Sequence, residues 1–189
     1  MSPLRIISGT ARGVNLRTSK VPFLRPTTDR VRSAIFSILE SRQVLLGAQV
    51  LDLYAGTGAL GIESLSRGAK HADFVEKDRA LSKLIKENVS TAGFNNTAKI
   101  INMPVESALD SLNGQYDLIF ADPPYQIADE VSNNISKIIE SDLLSESGLI
   151  VVEHSSKSNL DIAKDQVEKN MERRYGDTTI SIYISKRNI

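Results

Sequence analysis

From Ala48 onward, short apolar runs alternate with amphipathic segments, and this alternation constrains the fold more than any other feature of the chain. The candidate strands are Val50–Tyr54, Ala72–Glu76, Ala98–Asn102, Asp117–Ala121 and Leu149–Glu153. Residues 59–67, 79–92, 105–112 and 128–140 between them carry apolar residues at helical spacing. Four of the runs are dense in Val, Ile, Leu or Phe, as expected when both faces of a sheet are covered; the Ala98 run is less clear. Strand and helix in alternation imply an α/β domain, a mostly parallel sheet with helices on both faces. A chain of 189 residues, 41% apolar, suits one such domain with a small appendage.

The two ends depart from the pattern. Residues 4–8 and 13–18 alternate apolar with polar around a glycine-containing turn, which reads as a small N-terminal β-hairpin. Residues 19–26 hold two prolines and read as a loop. Thr27 or Thr28 can cap a helix through Glu40, with Val31, Ala34, Ile35, Ile38 and Leu39 on one face. At the other end, residues 158–169 read as a helix, and Glu172–Tyr175 with Thr178–Ser185 as a closing antiparallel hairpin around Gly176-Asp177. The expected division is a basic arm, 1–27, and a larger domain, 28–189. Within residues 1–32, seven cations (Arg5, Arg12, Arg17, Lys20, Arg25, Arg30, Arg32) face one acid, Asp29, a net of +6 in a chain whose total is zero. A basic arm on an acidic body suits contact with phosphates; a solvated tail is equally compatible with the charge alone.

There is no cysteine, which excludes disulfides, zinc–thiolate clusters and thiol catalysis. His71 and His154 are the two histidines, so a metal site is not expected. The N-terminus lacks the apolar stretch of a signal peptide, and no run approaches the roughly 18 apolar residues of a membrane span. A soluble, cytoplasmic monomer is the expectation.

The segment Val50–Gly61 runs from a strand into a helix and contains Gly56, Gly58 and Gly61 in G-x-G-x-x-G spacing. Such a loop lets the backbone turn sharply and a ligand approach closely. Glu76 ends the next strand, placed to accept hydrogen bonds from ribose hydroxyls. A nicotinamide dehydrogenase would meet these requirements equally. Asp52 tilts the balance, because a carboxylate in that strand disfavours a pyrophosphate and can face the positive end of a methionine moiety. It can also simply satisfy backbone amides of the loop.

Directly after the fourth strand stands Asp122-Pro-Pro-Tyr125. Ligands of open α/β sheets bind beyond the carboxyl ends of the strands, so this loop and the glycine loop share one crevice. The tetrapeptide resembles the D/N-P-P-Y motif of amino-methyltransferases, which implies a planar nitrogen as target, and an exocyclic base amine is a poor nucleophile, its lone pair being delocalised into the ring. The Asp122 side chain and the Pro123 carbonyl can each accept one N–H and aim the lone pair. Pro123 and Pro124 stiffen the loop, and Tyr125 offers a face on which an unstacked base can lie. A proline-rich turn with Tyr125 in the core is the alternative.

These segments resemble known families. The D-x-x-A-G-T-G loop resembles motif I of class I S-adenosylmethionine-dependent methyltransferases, whose fold is Rossmann-like, and Asp122–Tyr125 resembles the D/N-P-P-Y motif of amino-methyltransferases. Arg5–Gly13, Leu24–Arg32 with Ala34–Leu39, Leu51–Ala69, Phe120–Tyr125 and Ile150–Glu153 together resemble the RsmD family of bacterial 16S rRNA guanine-N2 methyltransferases. The resemblance implies methyl transfer from S-adenosylmethionine to N2 of one guanine (position 966 in the usual rRNA numbering) on the small ribosomal subunit. It implies a cofactor site of Asp52, Tyr54, Gly56, Thr57, Gly58, Glu76, Lys77, Val105, Glu106 and Asp122. Asp122, Pro123, Pro124 and Tyr125 become the catalytic set, and Arg5, Arg12, Arg25, Thr27 and Arg32 the RNA contacts, with Glu153 on the guanine edge or merely holding a loop. One position departs from the family pattern: Pro104 stands where an acidic residue near the adenine is usual, so Val105 and Glu106 must serve there. A DNA or protein amino-methyltransferase is the other enzyme reading, and a non-catalytic RNA-binding module would be expected to have lost Asp122 or the glycines. His154 and His71 are expected at the surface.

Overall fold

The computed structural model of the chain describes residues 4–18, 29–123, 128–158, 160, 162 and 167–186. Its elements in order are α1 (Asp29–Ser41), β1 (Gln49–Leu53), α2 (Ala59–Ser66), β2 (His71–Val75), α3 (Arg79–Ala92), β3 (Ala98–Ile101), α4 (Val105–Ser111), β4 (Tyr116–Ala121), α5 (Ala128–Glu140), β5 (Leu144–Ser155), β6 (Val167–Tyr175) and β7 (Thr178–Ser185). The strands form one sheet in the order β3-β2-β1-β4-β5-β7-β6. The first five are parallel, and β7 runs antiparallel between β5 and β6. The expected α/β architecture with a closing antiparallel hairpin is thus the observed one.

Side chains on a strand point alternately to the two faces, and here each face has its own core. Val50, Phe74, Leu118, Phe120 and Val151 pack with α1, α2 and α3 on one side. Leu51, Leu53, Val75, Ile119, Ile150 and Val152 pack with α4 and α5 on the other. Two cores sharing one set of strands explain the continuous apolar runs. Leu4, Ile6 and Leu16 of the N-terminal segment belong to the first core. They are held there by a short hairpin in which the Ile6 and Leu16 amides donate to the Val14 and Leu4 carbonyls at 3.0 and 2.8 Å.

Local signals account for α3, which spans the expected 79–92. Asp78 caps it, its Oδ1 accepting the Ala80 and Leu81 amides at 2.8 and 2.9 Å, and Gly93 ends it with φ 84°. The expected cap at Thr27 or Thr28 and the loop 19–26 lie outside the described residues.

The expected helix over 158–169 is a correction. Among its described residues, Ser158, Leu160 and Ile162 are not helical, and Val167–Lys169 is strand. The cause is tertiary: β7 has eight residues of open edge, and residues from Val167 onward satisfy it, Glu168 opposite Ile184 and Lys169 opposite Tyr183. The same demand starts the hairpin five residues before Glu172. No helix among the described residues is long and apolar enough to cross a membrane.

Candidate active site

The sheet order puts β1 between β2 and β4, so the direction of strand addition reverses between β1 and β4 and their carboxyl ends open into one crevice. Leu53 pairs with Ala121 in register, which sets Tyr54–Gly58 beside Asp122. β5 continues the edge: Ala121 pairs with Val152, so Glu153, buried, follows at the level of Asp122.

Buried side chains shape the glycine loop. The Gly56 amide donates to Glu76 Oε2 at 2.9 Å, and the Gly61 amide to Asp52 Oδ2 at 2.9 Å. Asp52 therefore serves the loop backbone from a buried position. Its carboxyl pKa is pushed well above the ordinary value, first by burial and then by the charges of Asp122 and Glu76, against the lowering effect of the Gly61 hydrogen bond. Gly58 sits at φ 77° at the start of α2, a left-handed conformation that side chains disfavour. At Gly61 the constraint is space, because a Cβ would overlap the Phe74 ring. The loop is thus compact, glycine-lined and ringed by Asp52, Glu76 and Asp122. Three carboxylates in one crevice suit a ligand carrying positive charge.

Other expected residues fall around it. Tyr54 leaves β1 with φ 56°, and its Oη accepts Asn134 Nδ2 at 2.7 Å. Burial pushes its hydroxyl pKa up to about 12, the charges of Glu106 and Glu130 adding to the effect. Thr57 is buried between the glycines. Glu76 Oε1 also accepts the Asp78 amide at 2.8 Å, and Asn102 Nδ2 donates to the Glu76 and Lys77 carbonyls at 2.9 and 3.0 Å, tying the ends of β2 and β3. Lys77 is exposed, Val105 is buried at the start of α4 after Pro104, and Glu106 is exposed. Pro123 is buried; Pro124 and Tyr125 lie outside the described residues, as do Arg25 and Thr27.

The remaining arginines divide. Arg5 and Arg12 are exposed on the hairpin. Arg32 is 1% exposed, its Nη2 donating to the Arg5 carbonyl at 2.6 Å and to Asp29 Oδ1 at 3.0 Å. Its Nε and Nη1 are buried without a partner among the described residues, and burial lowers its pKa against the charges of Asp29 and Glu63. It stands inside the fold, under the hairpin.

His154 is a correction to the expected surface position. It is buried, Nδ1 donating to the Ser155 carbonyl at 3.0 Å and Nε2 lying 2.9 Å from Ser181 Oγ. Inserting β7 beside β5 covers it. His71 is half-buried, 2.9 Å from Asp73 Oδ1.

Three residues of this region were not expected from the sequence: Asn88, Asn134 and Asn102. Asn88 follows Leu81 and Ile85 and precedes Val89 on the buried face of α3. A polar residue at an apolar position of a helix was the available signal.

Comparison with known proteins agrees with this geometry. The family model described as "Conserved hypothetical protein 95" matches residues 4–184. The ribosomal RNA small subunit methyltransferase D of Escherichia coli (strain K12) is 34% identical over 180 residues, covering 95% of this chain and 89% of that protein. Among solved structures, yhhF of Escherichia coli superposes with TM-score 0.85 at 31% identity, covering 96% and 97% of the two chains. A hypothetical protein of Thermus thermophilus gives 0.80 at 30% identity, covering 96% and 98%. The chain belongs to this family, the RsmD family of methyltransferases, and its sheet is the Rossmann-like fold of S-adenosylmethionine-dependent methyltransferases.

Proposed function

We propose that the protein transfers a methyl group from S-adenosylmethionine to the exocyclic N2 amine of a guanine in 16S rRNA of the small ribosomal subunit. The observation that carries the reading is Asp122 at the β1/β4 switch point, beside a glycine loop ringed by carboxylates. The name of the Escherichia coli relative supports the RNA substrate.

The residues present fit the cofactor. A methionine sulfonium with its ammonium group is cationic, which suits Asp52 and Asp122. Glu76 still has lone pairs for ribose hydroxyls, Gly56 and Gly58 admit close approach, and buried Val105 gives an apolar wall for the adenine, with Tyr54, Thr57, Lys77 and Glu106 around it. The cofactor supplies an electrophilic methyl group on a positively charged sulfur. The chain supplies aim. Asp122 and the Pro123 carbonyl accept the two N–H groups of the amine, turn its lone pair out of conjugation, and Asp122 faces the proton that the nitrogen must lose. Pro124 and Tyr125 complete the loop, Tyr125 as the stacking face. Glu153, beside Asp122, accepts from the guanine N1–H edge. Arg5 and Arg12 on the hairpin, with Arg25 and Thr27, meet phosphates, for which the guanidinium fork is suited. Arg32 supports the hairpin from beneath.

The test uses small subunits from cells lacking this gene, labelled S-adenosylmethionine and the purified protein, with digestion to nucleosides. Label in N2-methylguanosine that disappears with Asp122→Ala is the expected result. Label in another nucleoside would retain the mechanism and overturn the substrate atom. No label on subunits or naked rRNA, despite cofactor binding, would overturn the RNA reading in favour of a DNA or protein amine.

A further inference from the structure

Asn88 is wholly buried on α3, and every polar atom of its side chain is committed. Oδ1 accepts the Arg17 amide at 2.7 Å, while Nδ2 donates to the Arg17 carbonyl at 3.1 Å and to the Thr57 carbonyl at 2.9 Å. One amide therefore grips both backbone groups of a hairpin residue and, with its second N–H, the centre of the glycine loop. Thr57 stands between Gly56 and Gly58, whose backbones lack the restraint of a side chain. The N–H of the Thr57–Gly58 peptide turns inward to the Ala55 carbonyl at 2.7 Å, and its carbonyl is fixed from outside the loop. Gly56 is held at its amide by Glu76, and Thr57 at its carbonyl by Asn88.

A second anchor lies on the other helix flanking the loop. Glu63 of α2, 1% exposed, accepts the Ile7 and Ser8 amides at 2.7 and 3.0 Å. The hairpin is thus fastened to α2 and α3 together, the two helices that enclose the glycine loop, by buried polar side chains. Breaking either anchor leaves desolvated backbone groups unpaired, a larger loss than the bond itself.

From this geometry we infer that Asn88 is a positioning residue that makes hairpin placement and cofactor affinity one equilibrium: cofactor binding tightens residues 15–18 on the domain, and loosening Arg17 weakens the cofactor. The inference rests on the cofactor reading given above. It extends that reading by linking the element bearing Arg5 and Arg12 to the loop, so each ligand raises the other's affinity by the same factor.

Three measurements on the full chain test it. In the first, hydrogen exchange of the wild-type protein is followed with and without S-adenosylhomocysteine; slower exchange is expected over residues 14–18 as well as 54–61. In the second, calorimetry compares Arg17→Pro, which removes the N–H that Asn88 accepts and the exposed side chain and fixes φ, with Arg17→Ala, which keeps that N–H. The proline variant is expected to bind S-adenosylhomocysteine about tenfold more weakly and the alanine variant within about twofold, as for loss of a buried hydrogen bond compared with an exposed ion pair. In the third, Asn88→Ala is expected to raise KM for the methyl donor while leaving kcat at saturation near the wild-type value; a mere folding defect would lower kcat at unchanged KM. Protection confined to residues 54–61, or equal affinities for the proline and wild-type proteins, overturns the link. Failure of the wild-type protein to bind S-adenosylhomocysteine at all overturns the cofactor reading on which it stands.

Discussion

At the scale of single residues, the crevice holds carboxylates that do different work. Asp122 is half-buried, and Asp122→Ala is expected to lower kcat by about 100-fold or more, as for loss of a preorganised hydrogen-bond partner of the reacting group, whereas Asp122→Asn keeps an oxygen for the N–H; steady-state methylation of subunits measures both. Asp52 is buried and serves the Gly61 amide. Its folded pKa lies above the ordinary 3.8, so as pH rises past that value the unfolded chain releases this proton before the folded one does, and stability falls through the window between the two. Asp52→Asn retains an oxygen for the Gly61 amide and cannot ionise. The variant is expected to melt higher than wild type at pH 7, by about 2–4 °C for each kcal/mol regained, yet to gain less from S-adenosylhomocysteine. A thermal melt with and without that ligand separates the two effects. Gly61→Ala drives a methyl into the Phe74 ring and is expected to cost about 1–3 kcal/mol in urea unfolding.

At the scale of elements, α3 shows how local and tertiary causes combine. Its ends are local: Asp78 accepts two amides at the start and Gly93 turns the chain at the finish. Asp78→Ala is expected to destabilise the protein by about 1 kcal/mol, read from the midpoint of urea unfolding. Its middle is tertiary, since Asn88 occupies a core position only because the hairpin and the glycine loop bring it partners. The segment before β6 shows the opposite outcome. Leu160 and Val167, seven residues apart, would share a helix face, yet Val167 joins the sheet because β7 offers unpaired backbone groups there.

At the scale of the whole molecule, the sheet buries a histidine between two distant parts of the chain. His154 of β5 meets Ser181 of β7, with Glu172 and Lys169 of β6 acting on it from beyond. Burial holds its pKa below 6.5, Ser155 and Glu172 opposing. Below pH 6.5 the unfolded chain takes up a proton that the folded chain resists, so stability is complete above that value and declines as pH falls. Urea unfolding at about pH 7.5 and about pH 5.5 is expected to show this decline, and His154→Asn to reduce it. The mostly parallel α/β sheet and the places of the glycine loop and of Asp122 were readable from local properties: strand and helix periods, helix caps and glycine spacing. Their relative placement follows from the same signals, since Asp52 lies near the end of β1 and Gly56, Gly58, Glu76 and Asp122 follow strands whose carboxyl ends converge in this topology. Tertiary structure alone decided the strand at 167–169, the burial of Arg32 and His154, and the joint grip of Asn88 on Arg17 and Thr57. Those depend on which unpaired backbone groups and which charges arrive from far along the chain, and no local pattern records that.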